Sequence, residues 1–309
     1  MLANEEKIMN LSINIGSIMG CFGLENAAKR AKAAGFDSMD YPLNCMVNFD
    51  DVLNGDDYIA ECERIKAIAD EAGLPIRQTH APWNWKYAQW DDPETYKTKI
   101  LPAIKRSVEV SARLGAKVTV VHPIHFKVYR GNEEFMFNWN MEFYRELIPI
   151  CEEFDIKVAV ENMYWGDGRR PCYVFDTCGR SEEFIRYVDT LNSKYIVACV
   201  DVGHTALPLD ADEEAYDMIR ALGSRVQSLH IHDNDYRRDS HVLPYFGLLN
   251  WAEITKALGE IDYQGDFTYE AGGFITSTMD EEILPVAFKY MADIGKHLID
   301  LIERNRPAK

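Results

Sequence analysis

The chain has 309 residues, of which 47% are hydrophobic, enough for one barrel-sized domain or two average ones. Its net charge of −17 disfavours binding to nucleic acids and to anionic membrane surfaces, because both depend on Lys and Arg. No apolar run approaches the ~20 residues that a membrane span needs, and we expect no secretory signal in the first residues. The seven cysteines form no CxxC pair. We therefore expect a cytoplasmic protein without a disulfide framework.

Strand candidates alternate with helical stretches along the whole chain. The strand candidates are Leu11–Ile15, Ser38–Tyr41, Ile76–Thr79, Val118–His122, Val158–Glu161, Ile196–Asp201, Val226–Ile231 and Phe267–Glu270. Several of them are apolar without alternation, which is typical of strands buried on both faces of a parallel sheet. The helical stretches are Leu24–Ala34, Tyr58–Ala72, Thr95–Leu114, Asn140–Phe154, Ser181–Leu191, Glu213–Leu222, Trp251–Gly259 and Ile283–Ile302.

Eight such units without a linker predict a single α/β domain over residues 1–309, a (β/α)8 TIM barrel rather than an open doubly wound sheet. No GxGxxG motif follows the first strand and no GxxxxGK[ST] motif occurs, which disfavours nucleotide-binding folds. Two long connections, Ala81–Glu94 and Tyr164–Arg180, are expected to cover the barrel mouth.

Histidines cluster at the ends of the predicted strands. Those at or just past a strand end are His80, His122, His125, His204, His230, His232 and His241. Only His297 lies in a helical stretch. Because strand ends of a TIM barrel converge on one face, we expect these side chains to share a pocket.

Four polar residues end consecutive apolar strands. Glu161, Asp201, His230 and Glu270 close strands five to eight, where an unpaired charge would be unfavourable. Each alone could cap a turn or pair with an arginine, but together they predict a divalent-metal site. Three carboxylates and one imidazole favour Mn²⁺ or Mg²⁺, with Co²⁺ or Zn²⁺ as alternatives.

Further residues are expected to contact a substrate near this site. They are His80, His122, His204, Asp239, His241, Trp85 and Arg237. Each also has an ordinary structural interpretation: a hydrogen-bonded histidine, a polar turn, a tryptophan packed on the rim, or a solvated arginine.

The strings around these residues resemble the xylose-isomerase-like barrel superfamily. The matching strings are THAP at His80, VVHP at His122, VEN at Glu161, DVGH at Asp201, HIHDN at His230, DSH at Asp239 and YEAG at Glu270. The superfamily includes D-tagatose 3-epimerase, hydroxypyruvate isomerase, inosose dehydratase and the endonuclease IV type of apurinic nuclease. The resemblance extends from about Leu11 to Leu301, and it depends on the order of these strings along the chain more than on any one of them.

The resemblance implies roles for these residues. In the superfamily's epimerases the metal ligands correspond to Glu161, Asp201, His230 and Glu270, and the two glutamates serve as acid and base. The position of His204 contacts substrate. In the nuclease branch three zinc ions are held by positions that correspond to His80, His122, Glu161, Asp201, His204, His230, Asp239, His241 and Glu270.

One segment departs from the superfamily pattern. Before the tryptophan at position 251 the family commonly has a Gly-Glu-Gly stretch, whereas this chain has LPYFGLLN, with Tyr245 and Phe246 in place of small and polar residues. The departure affects the expected loop shape and substrate more than the metal site.

The sequence thus predicts a divalent-metal-dependent isomerase or epimerase of a sugar or sugar phosphate, acting by proton abstraction next to a carbonyl through an enediolate. An inosose-type dehydratase and an endonuclease IV-like zinc phosphodiesterase stay open as alternatives. The expected partner is a small sugar, without nucleic acid or membrane, and the sequence leaves a homo-oligomer open.

Overall fold

A computed structural model of the chain describes residues 9–308. Its parallel strands are β1 (Leu11–Asn14), β2 (Ser38–Pro42), β3 (Ile76–His80), β4 (Val118–Val120), β5 (Lys157–Glu161), β6 (Ile196–Asp201), β7 (Val226–His230) and β8 (Phe267–Tyr269). Each strand from β1 to β6 pairs with the next strand in sequence, and β8 pairs with β1. Ile231 links β7 to β8, because its N–H donates to Thr268 at 2.9 Å and its carbonyl accepts from Glu270 at 3.0 Å. The predicted TIM barrel is confirmed.

Helices surround the strands. Those of eight or more residues in the described chain are Gly16–Ala34, Tyr58–Ala72, Leu101–Leu114, Glu133–Phe154, Ser181–Leu191, Ala215–Leu222, Trp251–Glu260 and Leu284–Arg304. Shorter helices are Tyr87–Trp90, Pro93–Thr95 and Gly272–Thr278, and Tyr96–Ile100 is a π-helical turn. Within residues 9–308, no helix is both long enough and apolar enough to cross a membrane.

The two long connections carry structure of their own. The connection after β3 contains the helix Tyr87–Trp90. The connection after β5 contains an antiparallel hairpin of Tyr164–Gly166 and Tyr173–Phe175, in which Trp165 pairs with Val174. Sequence reasoning predicted the position of this segment over the barrel mouth but not the hairpin.

Alternation along β5, β6 and β7 places three of the predicted site residues inside the barrel. Ala159 and Cys199 belong to a small cluster of buried side chains separate from the main core, and Ser228 donates a hydrogen bond to Gln78 at 2.8 Å. Since side chains two residues apart share one face of a strand, Glu161, Asp201 and His230 occupy the next inward positions. Each therefore lies at the carboxyl end of the barrel interior.

Candidate active site

A cavity of about 330 Å³ opens at the carboxyl ends of the strands. Its lining residues are His80, Trp83, His122, His125, Glu161, Met163, Tyr164, Trp165, Gly166, His204, Asp239, His241 and Glu270. A larger cavity of about 560 Å³ lies among residues at the amino ends of the strands, but no histidine, cysteine or glutamate of residues 9–308 lines it. The chemistry-bearing groups of the molecule therefore converge in the smaller cavity.

One imidazole nitrogen lies among carboxylates from three other strands. Nδ1 of His230 is 3.2 Å from Glu161 Oε1, 3.6 Å from Glu270 Oε2 and 4.0 Å from Asp201 Oδ2. Atoms that bind one ion at about 2.1 Å lie about 3 to 4 Å apart. His230, Glu161 and Asp201 are buried, whereas the Glu270 side chain is 23% exposed. Glu161, Asp201 and His230 offer ligand atoms that lie close enough together to hold one ion, and Glu270 forms a second such group with Asp201 and His232.

The charges in the cavity also fit a divalent cation. Glu161, Asp201, Asp239 and Glu270 bring four carboxylates into or beside a cavity that no Lys or Arg of residues 9–308 lines. Buried carboxylates need a nearby positive charge. Burial alone would lower the pKa of His204, but Asp201 and Asp239 outweigh burial and raise this pKa to about 10. A divalent cation held among these carboxylates would supply positive charge to them.

The turn after β6 fixes one oxygen of Asp201. Oδ1 accepts hydrogen bonds from the N–H groups of Gly203 at 2.8 Å and His204 at 3.0 Å, and lies 2.9 Å from His232 Nε2. Asn162 bonds the backbone of Asp201 on both sides, at 2.8 and 3.0 Å. A Cβ atom on Gly203 would lie 2.0 Å from the His232 ring, so only glycine fits there. Oδ2 lies 3.1 Å from His232 Nε2, 3.5 Å from His204 Nε2 and 4.0 Å from His230 Nδ1.

Glu161 is held as a carboxylate. Burial would raise its pKa, but His230 and His122 outweigh burial and keep the pKa well below the ordinary value. Nε2 of His122 lies 3.0 Å from Glu161 Oε2 and 3.0 Å from Nε2 of His80. Burial lowers the pKa of His122 itself to about 4. A neutral His122 can contact either a substrate hydroxyl or a metal ion.

A second cluster borders the centre on the other side. Asp239 Oδ2 lies 3.0 Å from His241 Nε2 and accepts a hydrogen bond from the Tyr164 hydroxyl at 2.8 Å. The rings of His232 and His241 stack at 3.8 Å. Burial would lower the pKa of His241, but Asp239 and Glu270 raise it to about 9. Nδ1 of His241 lies 2.7 Å from the carbonyl oxygen of Glu270, which links this cluster to the carboxylate centre.

Two of the predicted substrate-contacting residues lie outside the cavity, and these expectations are corrected. Trp85 is 5% exposed, stacks on Phe49 and donates its indole N–H to the carbonyl of Val47 at 3.2 Å. Arg237 is exposed on a turn whose backbone N–H groups bond Asp235, so its side chain remains in solvent. The neighbouring Trp83, not Trp85, lines the cavity.

Sequence reasoning missed Asp40 and underrated His232. Asp40 is buried in β2, and its Oδ2 lies 3.9 Å from His230 Nε2 and accepts a hydrogen bond from Asn14 at 2.9 Å. A carboxylate in the strand SMDYP was the available signal. His232 follows His230 by two residues, and this spacing could have identified it as a partner of Asp201.

The departure at Tyr245 and Phe246 does not reach the cavity. Both side chains are 54% exposed, and neither lines the site. Buried Asp233 holds this loop by accepting hydrogen bonds from the N–H groups of Tyr245 at 3.0 Å and Leu249 at 3.1 Å, and from the Trp251 indole at 2.7 Å. The altered loop is therefore rigidly held but remote from the candidate metal ligands.

A family model described as a xylose isomerase-like TIM barrel matches residues 28–291. The chain therefore belongs to the xylose isomerase-like TIM barrel family, as the sequence motifs predict.

Individual relatives are distant. An uncharacterised protein from Sinorhizobium fredii is 27% identical over 170 residues, which are 54% of this chain and 51% of that protein. Another, from Methanocaldococcus jannaschii, is 26% identical over 193 residues, 62% of this chain and 63% of its own length. The chain thus spans between half and two thirds of these two relatives. A D-psicose 3-epimerase from Enterocloster bolteae is 26% identical over 263 residues, 82% of this chain and 78% of that enzyme.

Solved structures share the fold. A D-tagatose 3-epimerase-like protein superposes with a TM-score of 0.71 at 18% identity, covering 96% of this chain and 99% of that one. A 3-keto-D-glucoside 4-epimerase from E. coli gives a TM-score of 0.67 at 17% identity, covering 89% and 95%. At such identities the superpositions establish the barrel architecture alone.

Proposed function

We propose that the protein is a divalent-metal-dependent isomerase or epimerase of a sugar, in which Glu161 and Glu270 move a proton at the carbon next to a carbonyl. The observation that carries the proposal is the position of these two glutamates. They come from β5 and β8, which β6 and β7 separate, and both carboxylates approach Nδ1 of His230, at 3.2 and 3.6 Å. A substrate carbon above this point would have one carboxylate on each side.

The residues divide the reaction between them. One glutamate accepts the proton from carbon, the C–H electron pair moves toward the carbonyl oxygen to give an enediolate, and the other glutamate returns a proton. Return to the opposite face of the same carbon gives epimerisation, and return to the adjacent carbon gives isomerisation. A cation held by Glu161, Asp201, His230 and Glu270 would supply the Lewis acid that stabilises the developing oxyanion. Donors at His204 and His241 would orient hydroxyl groups.

The relatives support a sugar substrate. Two with assigned functions are described as a D-psicose 3-epimerase and a 3-keto-D-glucoside 4-epimerase. Both descriptions denote inversion at a carbon of a keto-sugar, which the paired glutamates can perform. The cavity also favours an unphosphorylated sugar, because no Lys or Arg of residues 9–308 lines it and these are the residues that most often bind phosphate.

The test is solvent deuterium exchange. The protein is incubated in D₂O with Mn²⁺ and a panel of ketoses and keto-sugars, and NMR reads deuterium at the carbon next to the carbonyl. We expect exchange in wild type and a loss of at least about a hundredfold in Glu161→Gln and in Glu270→Gln, the range of general acid–base effects. Exposed Glu63 provides the matched control Glu63→Gln, which should exchange normally. Near-normal exchange in either active-site variant would overturn the two-glutamate scheme.

A zinc phosphodiesterase is the second candidate, since further donor groups surround the centre. His80, His122 and Glu161 form one set that could hold an ion, and His204, His232, Asp239 and His241 form another. The net charge of −17 and the absence of Lys and Arg from the cavity lining oppose a polyanionic substrate. Three tightly held zinc ions together with incision of abasic DNA would favour this candidate over the sugar epimerase.

A further inference from the structure

A second, aromatic cleft adjoins the candidate active site. Its cavity of about 100 Å³ shares four lining residues with the larger one: Trp83, His122, His125 and Trp165. His122 is also the residue whose Nε2 lies 3.0 Å from Glu161. The cleft therefore lies one side chain away from the carboxylates and adjoins the cavity that contains them.

The aromatic side chains of this cleft fall into two groups. Trp85 and Trp90 are buried and contact each other edge to face at 5.5 Å, so they form the buried side of the cleft. Trp83, Tyr87 and Trp165 are 45%, 41% and 44% exposed. Large aromatic surfaces left in water beside a polar site mark places where a ligand binds.

The three exposed rings are held in place by rings beneath them. Trp83 stacks on His122 with centroids 5.3 Å apart and an interplanar angle of 27°. Trp165 packs edge to face on His125 at 5.2 Å and contacts Tyr87 at 5.4 Å. The antiparallel hairpin fixes the backbone of Trp165. We call Trp83, Tyr87 and Trp165 the aromatic wall; it is a preformed surface that spans two loops.

The chemistry of both cavities restricts what the aromatic wall can bind. Among residues 9–308, neither lining contains a Lys or an Arg, the residues that most often pair with a phosphate or carboxylate substituent. Aromatic faces suit apolar C–H surfaces, and a pyranose ring presents such a surface while its hydroxyl groups remain hydrated. An uncharged sugar ring satisfies both conditions.

We propose that the substrate of this site is an uncharged saccharide of two rings, in which the keto-sugar lies over Glu161 and Glu270 and a second ring stacks on the aromatic wall. This inference rests on the proposed function, which supplies the keto-sugar. It adds a binding subsite and assigns Trp83 and Trp165 to substrate selection rather than to chemistry.

The test compares a ketose with disaccharides that end in the same ketose. Isothermal titration calorimetry in the presence of Mg²⁺ measures the affinity for D-fructose and for the disaccharides maltulose, lactulose and isomaltulose. These disaccharides carry the second ring at two positions of the ketose and with both anomeric configurations. We expect at least one disaccharide to bind at least about tenfold more tightly than D-fructose. In Trp83→Ala and Trp165→Ala, the ratio of disaccharide to fructose affinity should fall about tenfold, the size of a well-packed aromatic contact.

Two variants make the result interpretable. Tyr290→Ala removes an aromatic ring of similar exposure (53%) outside both cavities and should leave the ratio unchanged. Trp83→Phe retains an aromatic face and should recover most of the ratio that Trp83→Ala loses. If every disaccharide binds no more tightly than fructose, or if the ratio is the same in both alanine variants as in wild type, the subsite proposal is wrong.

Deuterium exchange in the same samples separates this proposal from the proposed function. Exchange into fructose without a preference for any disaccharide would overturn the aromatic subsite and leave the epimerase intact. A disaccharide preference that depends on Trp83 and Trp165, without exchange into any substrate, would retain the subsite and overturn the epimerase.

Discussion

The carboxylate of Asp201 is held by His232 and by the turn that follows β6. His232 Nε2 lies 2.9 Å from Oδ1 and 3.1 Å from Oδ2, and Oδ1 also accepts hydrogen bonds from two backbone N–H groups. Oδ2 lies 3.5 Å from His204 and 4.0 Å from His230. His232 thus acts on the centre through Asp201, as an orienting partner of a ligand commonly does.

Replacing this partner should weaken metal binding. We expect His232→Ala to lower the affinity for Mn²⁺ by about 10- to 100-fold, the usual effect of losing an orienting group. Calorimetric titration of Mn²⁺ into the chelator-treated protein measures this affinity. His297→Ala removes an exposed histidine of the last helix and should bind Mn²⁺ as wild type does; an unchanged affinity in His232→Ala would contradict the assigned role.

Away from the site, Glu183 should make stability depend on pH. Burial raises its pKa from 4.5 to about 7, and the side chain accepts a hydrogen bond from the N–H of Cys178 at 2.9 Å. Between these pH values the unfolded chain has released the proton that the native state keeps. The contribution of Glu183 to stability is therefore full below pH 4.5 and is lost as the pH rises to about 7, by about 3 kcal/mol.

The variant Glu183→Gln has no such titration. Urea unfolding of both proteins at pH 5 and pH 8 should show the free energy of unfolding shifting in favour of the variant by about 3 kcal/mol at the higher pH. A difference between the two proteins that stays constant with pH would show that Glu183 does not titrate in this range.

At the scale of single elements, β6 and the turn that follows it show which residue types the end of a strand requires in this barrel. All six residues of Ile196–Asp201 are buried, and the following Gly203 leaves room for His232 alone. β6 must therefore be apolar, and the turn after it must contain a glycine. The last inward-facing residue of β6, Asp201, is the candidate metal ligand.

Gly203→Ala should therefore disturb both stability and the site. The added Cβ would lie 2.0 Å from the His232 ring, and such overpacking costs about 3 kcal/mol. Gly20→Ala is the matched control, because nothing lies within 4 Å of its Cβ position in an exposed helix. It should raise stability by up to about 1 kcal/mol. Thermal and urea unfolding measure both, and equal effects of the two substitutions would contradict the packing argument.

Elements with a strong local pattern of apolar residues were predictable from the sequence. Short strands that are defined only by their pairing with each other were not. The helix Tyr58–Ala72 and the strand Ile196–Asp201 have the predicted bounds, because the helix has an unbroken apolar periodicity and the strand is a continuous apolar run. The span Gly16–Ala34 is interrupted at Gly23, whose φ of 72° is not helical, so a helical segment follows Gly23 as predicted. The segment before Gly23 was not predicted, because Gly20 and Gly23 weaken its pattern. The hairpin after β5 consists of three-residue strands, too short for periodicity to reveal.

For the whole molecule, barrel closure made most of the site predictable. Glu161, Asp201, His230 and Glu270 lie more than 100 residues apart at their extremes, yet parallel strand ends must meet at one face. The same logic could not find Asp40, which lies within β2 rather than at its end. Nor could it separate Trp83 from Trp85, since their burial depends on how the loop packs on Phe49 and Val47.

The most direct test of the central claim is the number of Mn²⁺ ions that the chelator-treated protein binds in a calorimetric titration. The account predicts one tightly bound ion per chain in wild type, and loss of that ion in a folded His230→Ala protein, because its imidazole nitrogen lies between Glu161 and Glu270. Absence of tight binding in wild type, or an unchanged ion in His230→Ala, would contradict the metal centre on which the proposed chemistry depends.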